Sequence, residues 1–142
     1  MALFDIENHL SPQWKKIDYY VNFIYAGKKE GVVGFEYTFR FENGIVVYVY
    51  SKNAGGILVS DSLRVDDNWV FERKNGSFCI DKQQFPMEET IENNLGSNAN
   101  NVSIVNFLLT SYPLAKEHYL IKLSKFVNSM LWFRNLDTRE FI

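Results

Sequence analysis

Residues that commonly carry catalysis or bind metals are scarce in this chain. It has one cysteine, Cys79, and two histidines, His9 and His118. A single cysteine cannot form an internal disulfide and has no second thiolate for a zinc site, so a reducing cytoplasm is the predicted compartment. Without an HExxH sequence or a histidine pair one helical turn apart, the sequence gives no sign of a zinc-hydrolase centre.

Basic blocks and long apolar runs are also missing. The net charge is -2 and no more than two Lys or Arg residues are consecutive, so the electrostatic footprint of a nucleic-acid-binding protein is absent. No apolar stretch reaches the roughly 18 to 20 residues of a membrane span, and the first residues, MALFDIENHL, do not resemble a signal peptide. We therefore expect no membrane partner and a cytoplasmic location.

Aromatic residues, in contrast, are abundant. They make up 16% of the chain, with twelve Phe and eight Tyr, while hydrophobic residues reach 46% and charged residues 23%. The overall balance is that of a globular protein, and the aromatic excess favours β-sheet. At 142 residues the chain has the length of one domain, so we expect a single domain over 1–142.

Residues 32–80 have the pattern of an antiparallel β-meander. Apolar side chains at every second position from Val33 to Phe41 indicate a strand with one buried face, and Glu36 and Arg40 lie on the wet face. The pair Asn43-Gly44 predicts a type I′ hairpin turn, because both central residues of that turn need positive φ. Further strands are predicted at 45–50, 57–65, 69–73 and 77–80, with connections at 51–56, 66–68 and 74–76.

Residues 1–31 are predicted to form an N-terminal helical segment. Ser11 can cap a helix with Pro12 in its first turn, and apolar residues at spacings of three and four predict that this helix covers 12–26. The alternative is a strand over 18–26, because Val21, Phe23 and Tyr25 alternate and are strand formers.

The part from 86 to 136 is predicted to be helical. Helices are expected over 86–93, 102–111 and 114–133, and the second ends before Pro113 because the residue before a proline avoids the α region. In the last helix, a stripe of apolar residues is predicted to face the sheet: Leu120, Leu123, Val127, Met130 and Leu131. Because the strands precede these helices, the predicted fold class is α+β.

No residue group meets the requirements of a catalytic site. The adjacent carboxylates Asp66-Asp67 and Glu88-Glu89 suit a turn and a first helical turn, and neighbours in sequence do not converge across a pocket. Cys79 suits a small apolar position in a strand. Glu117-His118 is interpreted as the solvated side of a helix. We therefore predict no catalytic, cofactor-binding or metal-binding residue.

Two glycine-rich stretches and one set of aromatics are candidate ligand sites. AGKKEGVVG, at 26–34, lacks the Gly-Lys-Ser/Thr ending of a phosphate loop, and NAGG, at 53–56, lies between predicted strands. Alternating aromatics of the first two strands can stack on nucleobases in some sheets, but here their neighbours include Glu36 and Glu42. Packing in the core is the prediction for these aromatics: Tyr37, Phe39, Tyr48 and Tyr50.

Several short motifs occur in a fixed order along the chain. They are Phe35-Glu36-Tyr37-Thr38-Phe39, 57–63, Val70-Phe71-Glu72-Arg73 followed by Gly76 and Phe78, 101–108, and Trp132-Phe133-Arg134-Asn135. Over residues 33–135 this order resembles the segment between the Walker A and Walker B motifs of ABC/SMC-like AAA ATPases of the RecF and OLD type. That group includes prokaryotic ATP-binding proteins of DNA repair and phage defence.

The resemblance implies a non-catalytic part of a larger ATPase. The 142 residues contain no Walker A motif, no Walker B motif and no ABC-type signature loop, so ATP and magnesium would belong to the parent protein. The implied role is to pack on the nucleotide lobe and to contact the remainder of the ATPase, a second protomer, a nuclease subunit or DNA. The alternative is a self-contained small-molecule or protein-binding module, with its pocket between the meander and the last helix.

Overall fold

The computed structural model of the chain describes residues 5–6, 9–10, 31–97 and 103–130. Five antiparallel strands form one sheet in the order β1-β2-β3-β4-β5. They are β1 (Val32–Phe41), β2 (Gly44–Asn53), β3 (Leu58–Val65), β4 (Asn68–Lys74) and β5 (Ser77–Ile80), and the helices that follow are α1 (Glu89–Ser97), α2 (Ile104–Ser111) and α3 (Tyr119–Asn128). The predicted α+β class is confirmed. The segment 12–26 lies outside the described residues.

Each strand predicted between 32 and 80 is present. Alternation in β1 buries Phe35, Tyr37 and Phe39 and exposes the residues between them, as the sequence indicates. The main difference is in β2, which continues to Asn53 and so includes residues predicted to be a connection. Ser51 remains paired to Ser60 of β3, both through the ladder and through a 2.7 Å contact between their hydroxyl oxygens.

The tip of the first hairpin differs from the prediction. Phe41 pairs with Gly44, so the two loop residues are Glu42 and Asn43, and neither has positive φ. The type I′ prediction for Asn43-Gly44 was therefore wrong. Gly44 itself has a φ of 134°, and a Cβ there would overlap the carboxylate of Asp66, which accepts the Ile45 N–H at 2.9 Å.

Positive φ at both loop residues occurs in the two later hairpins instead. Asp66 and Asp67 have φ values of 49° and 66°, and Asn75 and Gly76 have 53° and 74°. Both loops are two residues long, since Val65 pairs with Asn68 and Lys74 pairs with Ser77. These are the features of type I′ turns, whose twist matches that of the flanking strands.

The helices begin later than predicted. The first, α1, starts at Glu89 rather than 86 and ends at Ser97, and the second, α2, starts after Ser103, whose hydroxyl accepts the Asn106 N–H. The prediction that the last helix begins at 114 was wrong, because His118 is the N-cap of α3 and its Nδ1 accepts the Leu120 N–H at 3.1 Å. His118 is therefore a half-buried cap and not part of a solvated helical face.

One hydrophobic core joins the inner face of the sheet to the helices. Leu120 and Leu123 of α3 are fully buried, Val127 is 1% exposed, and all three belong to the same cluster as Phe35 and Leu63 of the sheet. At the β5 edge of the sheet, α1 lies so close to the β4–β5 turn that a Cβ on Gly96 would lie 2.9 Å from the Gly76 carbonyl oxygen. The predicted burial of the last helix against the meander is confirmed for these residues.

Candidate functional site

Ionisable and hydroxyl-bearing side chains lie together inside the protein, between the sheet and the segments packed on it. We call this group the inner polar cluster. Its members come from the N-terminal residues, four strands and the cap of α2, and their exposed fractions range from 0% to 8%: Asp5, His9, Tyr37, Tyr48, Tyr50, Lys52, Asp61, Arg73 and Ser103.

The alternation of β2 explains why polar groups enter the interior. Every second residue of this strand faces inward, so Val46 is followed on the same face by Tyr48, Tyr50 and Lys52, each fully buried. Tyrosine and lysine combine a long apolar body with a polar tip, and a strand can therefore bury them if each tip finds a partner. The inner polar cluster supplies these partners.

The carboxylate of Asp5 gathers the first set of contacts. Its Oδ1 accepts a 2.5 Å hydrogen bond from the Tyr50 hydroxyl and lies 3.4 Å from Lys52 Nζ. The hydroxyl oxygens of Tyr37 and Tyr50 are 3.2 Å apart. Burial raises the pKa of both tyrosines and lowers the pKa of Lys52, and the Asp5 charge opposes the latter shift. The two phenols therefore stay neutral near pH 7.

His9 connects the N-terminal residues to the middle of the sheet. Its Nε2 is 2.6 Å from the Tyr48 hydroxyl oxygen, and its ring stacks on Tyr50 with centroids 4.1 Å apart. Burial lowers the pKa of His9 well below its ordinary value, and the charges of Lys52 and Arg73 add to this shift. The imidazole is therefore neutral at pH 7 and acts as a hydrogen-bonding and stacking group.

The Asp61–Arg73 pair joins strands β3 and β4 to two helix ends. Arg73 Nε is 2.7 Å from Asp61 Oδ1 and Nη2 is 3.2 Å from Oδ2, so the pairing is bidentate. Arg73 Nη1 also donates to the carbonyl of Leu95 in α1, and Asp61 accepts the Ile104 N–H at the start of α2. Burial raises the pKa of Asp61 to about 6, an effect that Arg73 opposes.

The chemistry open to this cluster is limited by its enclosure. It contains the residue types of an acid–base site, but Asp5, His9 and Lys52 are 0% exposed and Asp61 and Arg73 are 1% exposed. A substrate atom would have to displace packed side chains to reach any of them. The contacts that are formed hold elements together, and we interpret the cluster as a set of structural ties.

The sequence prediction anticipated only part of this cluster. It placed Tyr37, Tyr48 and Tyr50 in the core, which is confirmed. It missed the buried charges of Lys52 and Asp61, because Lys52 was assigned to a loop and charged residues are rarely fully buried. The available signal was register: Lys52 continues the inward positions of β2, and Asp61 pairs directly with Tyr50 across the ladder.

The candidate carboxylate pairs and Cys79 lie apart from the inner polar cluster. Asp66-Asp67 form the β3–β4 turn as predicted. Glu89 lies in the first turn of α1, while Glu88 directly precedes the helix. Cys79 is in strand β5 as predicted, with its side chain on the exposed face. Asn43 contacts the start of α3, where its side chain donates to the Glu117 carbonyl.

The described residues form neither a metal-binding group nor a membrane-spanning helix. Within the part of the chain that the structure describes, no group of three or more His, Cys, Asp or Glu side chains is placed to hold a metal ion. Among the described helices, none combines the length and the apolar character that crossing a bilayer requires.

Comparison of the chain with protein-family models, with curated proteins and with solved structures found no match. The resemblance to RecF/OLD-type ATPases therefore stays a prediction.

Proposed function

We propose that the chain is a non-catalytic interaction domain of a RecF/OLD-like ATP-binding protein. In this role it packs on the nucleotide lobe and mediates contacts with a partner protein, DNA or a second protomer. The main supporting observation is the enclosure of the inner polar cluster, whose charged members form ties between strands and helices. These ties make the domain rigid. A rigid domain suits a role in which it presents binding surfaces to partner molecules.

The position of the Val70-Phe71-Glu72-Arg73 motif also supports the proposal. Phe71 and Arg73 are each 1% exposed, and Arg73 holds Asp61 and the α1 carbonyl of Leu95. The motif thus contributes to the interior of the sheet. A shared motif with this position points to a shared scaffold and not to a shared reaction centre.

The proposal can be tested by expressing the chain together with the protein segments that the adjacent coding sequence encodes. The coding sequence on either side should encode a Walker A motif before this segment and a Walker B motif after it. We expect the chain alone to release no phosphate from Mg-ATP, and the reunited protein to hydrolyse it. Flanking sequences without these motifs, or saturable hydrolysis by the chain alone that survives stringent purification, would overturn the proposal.

The second candidate is a self-contained binding module. At the position predicted for its pocket, between the sheet and α3, the side chains of Leu120 and Leu123 pack in the core. An open notch beside Trp69, at the β4–β5 edge of the sheet, is the observation that favours this candidate. If the module is self-contained, the isolated chain will bind its natural partner with the affinity of the full-length protein.

A further inference from the structure

A notch of about 250 Å³ lies at the β4–β5 edge of the sheet, beside a bulge in strand β4. Leu63 of β3 pairs with Phe71 and Arg64 pairs with Trp69, so Val70 has no partner across this ladder. Bulges of this kind re-aim neighbouring side chains and disturb the regular pleat. We call this depression the Trp69 notch, and it is lined by Trp69, Val70, Phe71, Glu72, Cys79, Ile80 and Asp81.

The aromatic wall of the notch is unusually open to solvent. Trp69 is 54% exposed, although it is the largest apolar side chain in the sheet. The guanidinium carbon of Arg64 lies 5.3 Å from the centre of the Trp69 ring, which shows that this ring already accepts a cation. Tryptophan is enriched among the residues that contribute most of the binding energy in protein interfaces.

The charged groups lining the notch are all acidic. Among the described residues that line it, Glu72 and Asp81 are the charged ones, while the guanidinium of Arg64 lies over the ring of Trp69. Glu72 is only loosely paired, 3.6 Å from Lys74 Nζ with both side chains exposed. Asp81 accepts hydrogen bonds from the Gln83 N–H and the Gln84 side chain, which fix its carboxylate without neutralising it.

We propose that the Trp69 notch is a docking site for an arginine or lysine side chain, followed by an apolar residue, on a partner protein. The methylene stem would lie on the indole of Trp69, and the cationic head would meet Glu72 and Asp81. The partly exposed side chain of Ile80 would contact the apolar neighbour. This inference deepens the proposed interaction role and rests on it, but it concerns one surface only.

Short peptide probes can test this proposal without knowledge of the natural partner. The 15N-labelled full chain is titrated with the capped dipeptides Ac-Arg-Leu-NH2, Ac-Gln-Leu-NH2 and Ac-Glu-Leu-NH2, and the Trp69 indole N–H and the Cys79 amide are followed by NMR. We expect saturable shifts at both reporters with the arginine probe, weaker ones with glutamine and none with glutamate, and a dissociation constant of roughly millimolar size.

Matched variants test whether the negative charges of the notch, rather than its shape alone, bind the arginine probe. Glu72→Gln and Asp81→Asn should each weaken binding of the arginine probe about two- to fivefold, as expected for partly exposed ion pairs. Glu36→Gln is the control, because Glu36 lies in the same cross-strand row as Glu72 but at the far edge of the sheet. This control should bind the probe as the wild type does, and added salt should weaken wild-type binding.

Two outcomes would overturn the inference. One is equal binding of the glutamate and arginine probes, or no shift at either reporter up to about ten millimolar probe. The other is a shift that depends on protein concentration alone, since the occupant would then be a second copy of this chain. Either result leaves the proposed non-catalytic role standing, because that role is tested separately by hydrolysis of Mg-ATP.

Discussion

Arg73 and Asp61 form a buried, bidentate ion pair, with Nε 2.7 Å from Oδ1 and both side chains closed to solvent. Removing one partner leaves the other as an uncompensated charge in the interior. We predict that Arg73→Met lowers the free energy of unfolding by about 3–5 kcal/mol, measured by urea denaturation with two spectroscopic probes.

The control for this prediction is an exposed pair one residue away. Lys74 and Glu72 are 3.6 Å apart and their side chains are 61% and 41% exposed, so Lys74→Met should cost less than about 1 kcal/mol. Equal losses for the two variants would show that the buried pair has no special structural role.

The hydrogen bond from Tyr50 to Asp5 provides a second prediction. Tyr50→Phe removes a hydroxyl that donates to a buried carboxylate at 2.5 Å, so it should lower the free energy of unfolding by about 1.5–3 kcal/mol. Tyr112→Phe is the matched control, because the Tyr112 hydroxyl donates to the Pro86 carbonyl near solvent. An equal loss of unfolding free energy in Tyr112→Phe would show that burial does not make the Tyr50 hydrogen bond more stabilising than an exposed one.

Glycine is required at the first hairpin for reasons of space and of conformation. Gly44→Ala introduces a Cβ into the Asp66 carboxylate at a φ of 134°, and we expect a loss of about 1–3 kcal/mol in unfolding free energy. Gly34→Ala is the control, since a Cβ there meets nothing within 4 Å. The control should be neutral or slightly stabilising in the same urea measurement, and a neutral Gly44→Ala would show that the hairpin relaxes freely.

Stability should fall as the pH is lowered from 7.5 to 6. The folded pKa of His9 is below its ordinary 6.5, so the unfolded chain binds a proton that the folded chain does not. This contribution to stability is present above 6.5 and lost below it, with a limiting slope of about 1.4 kcal/mol per pH unit. Burial also lowers the pKa of His118.

Asp61 has the opposite effect at lower pH. Its pKa is raised from 3.8 to about 6, so between these values the folded chain binds the extra proton and offsets the loss from His9. His9→Gln should therefore flatten the fall between pH 7.5 and 6 in urea titrations. An unchanged slope in this variant would show that His9 is not the titrating group.

The sequence predicted the sheet well because local signals and the tertiary fold agree there. Alternation in β1 and the turn residues at 66–67 and 75–76 locate the strands without knowledge of their neighbours. The start of α3 was mispredicted because residues 114–118 include no proline or glycine that would interrupt a helix. The actual start depends on the position of one ring nitrogen of His118.

The inner polar cluster could not be fully predicted because its contacts join residues that are far apart in the sequence. The partners Lys52 and Asp5 are 47 residues apart, and Arg73 reaches Leu95 across 22 residues. The apolar pattern of one segment does not indicate which charged residue of another segment will pair with a residue in it. The Trp69 notch could not be predicted either, because its lining residues come from two strands and meet only when β4 and β5 pair.

Calorimetric titration of the purified chain with Mg-ATP, with phosphate release followed in the same sample, tests the non-catalytic role most directly. The account predicts no saturable heat of binding and no release of phosphate above the buffer rate. Saturable binding accompanied by phosphate release would contradict it.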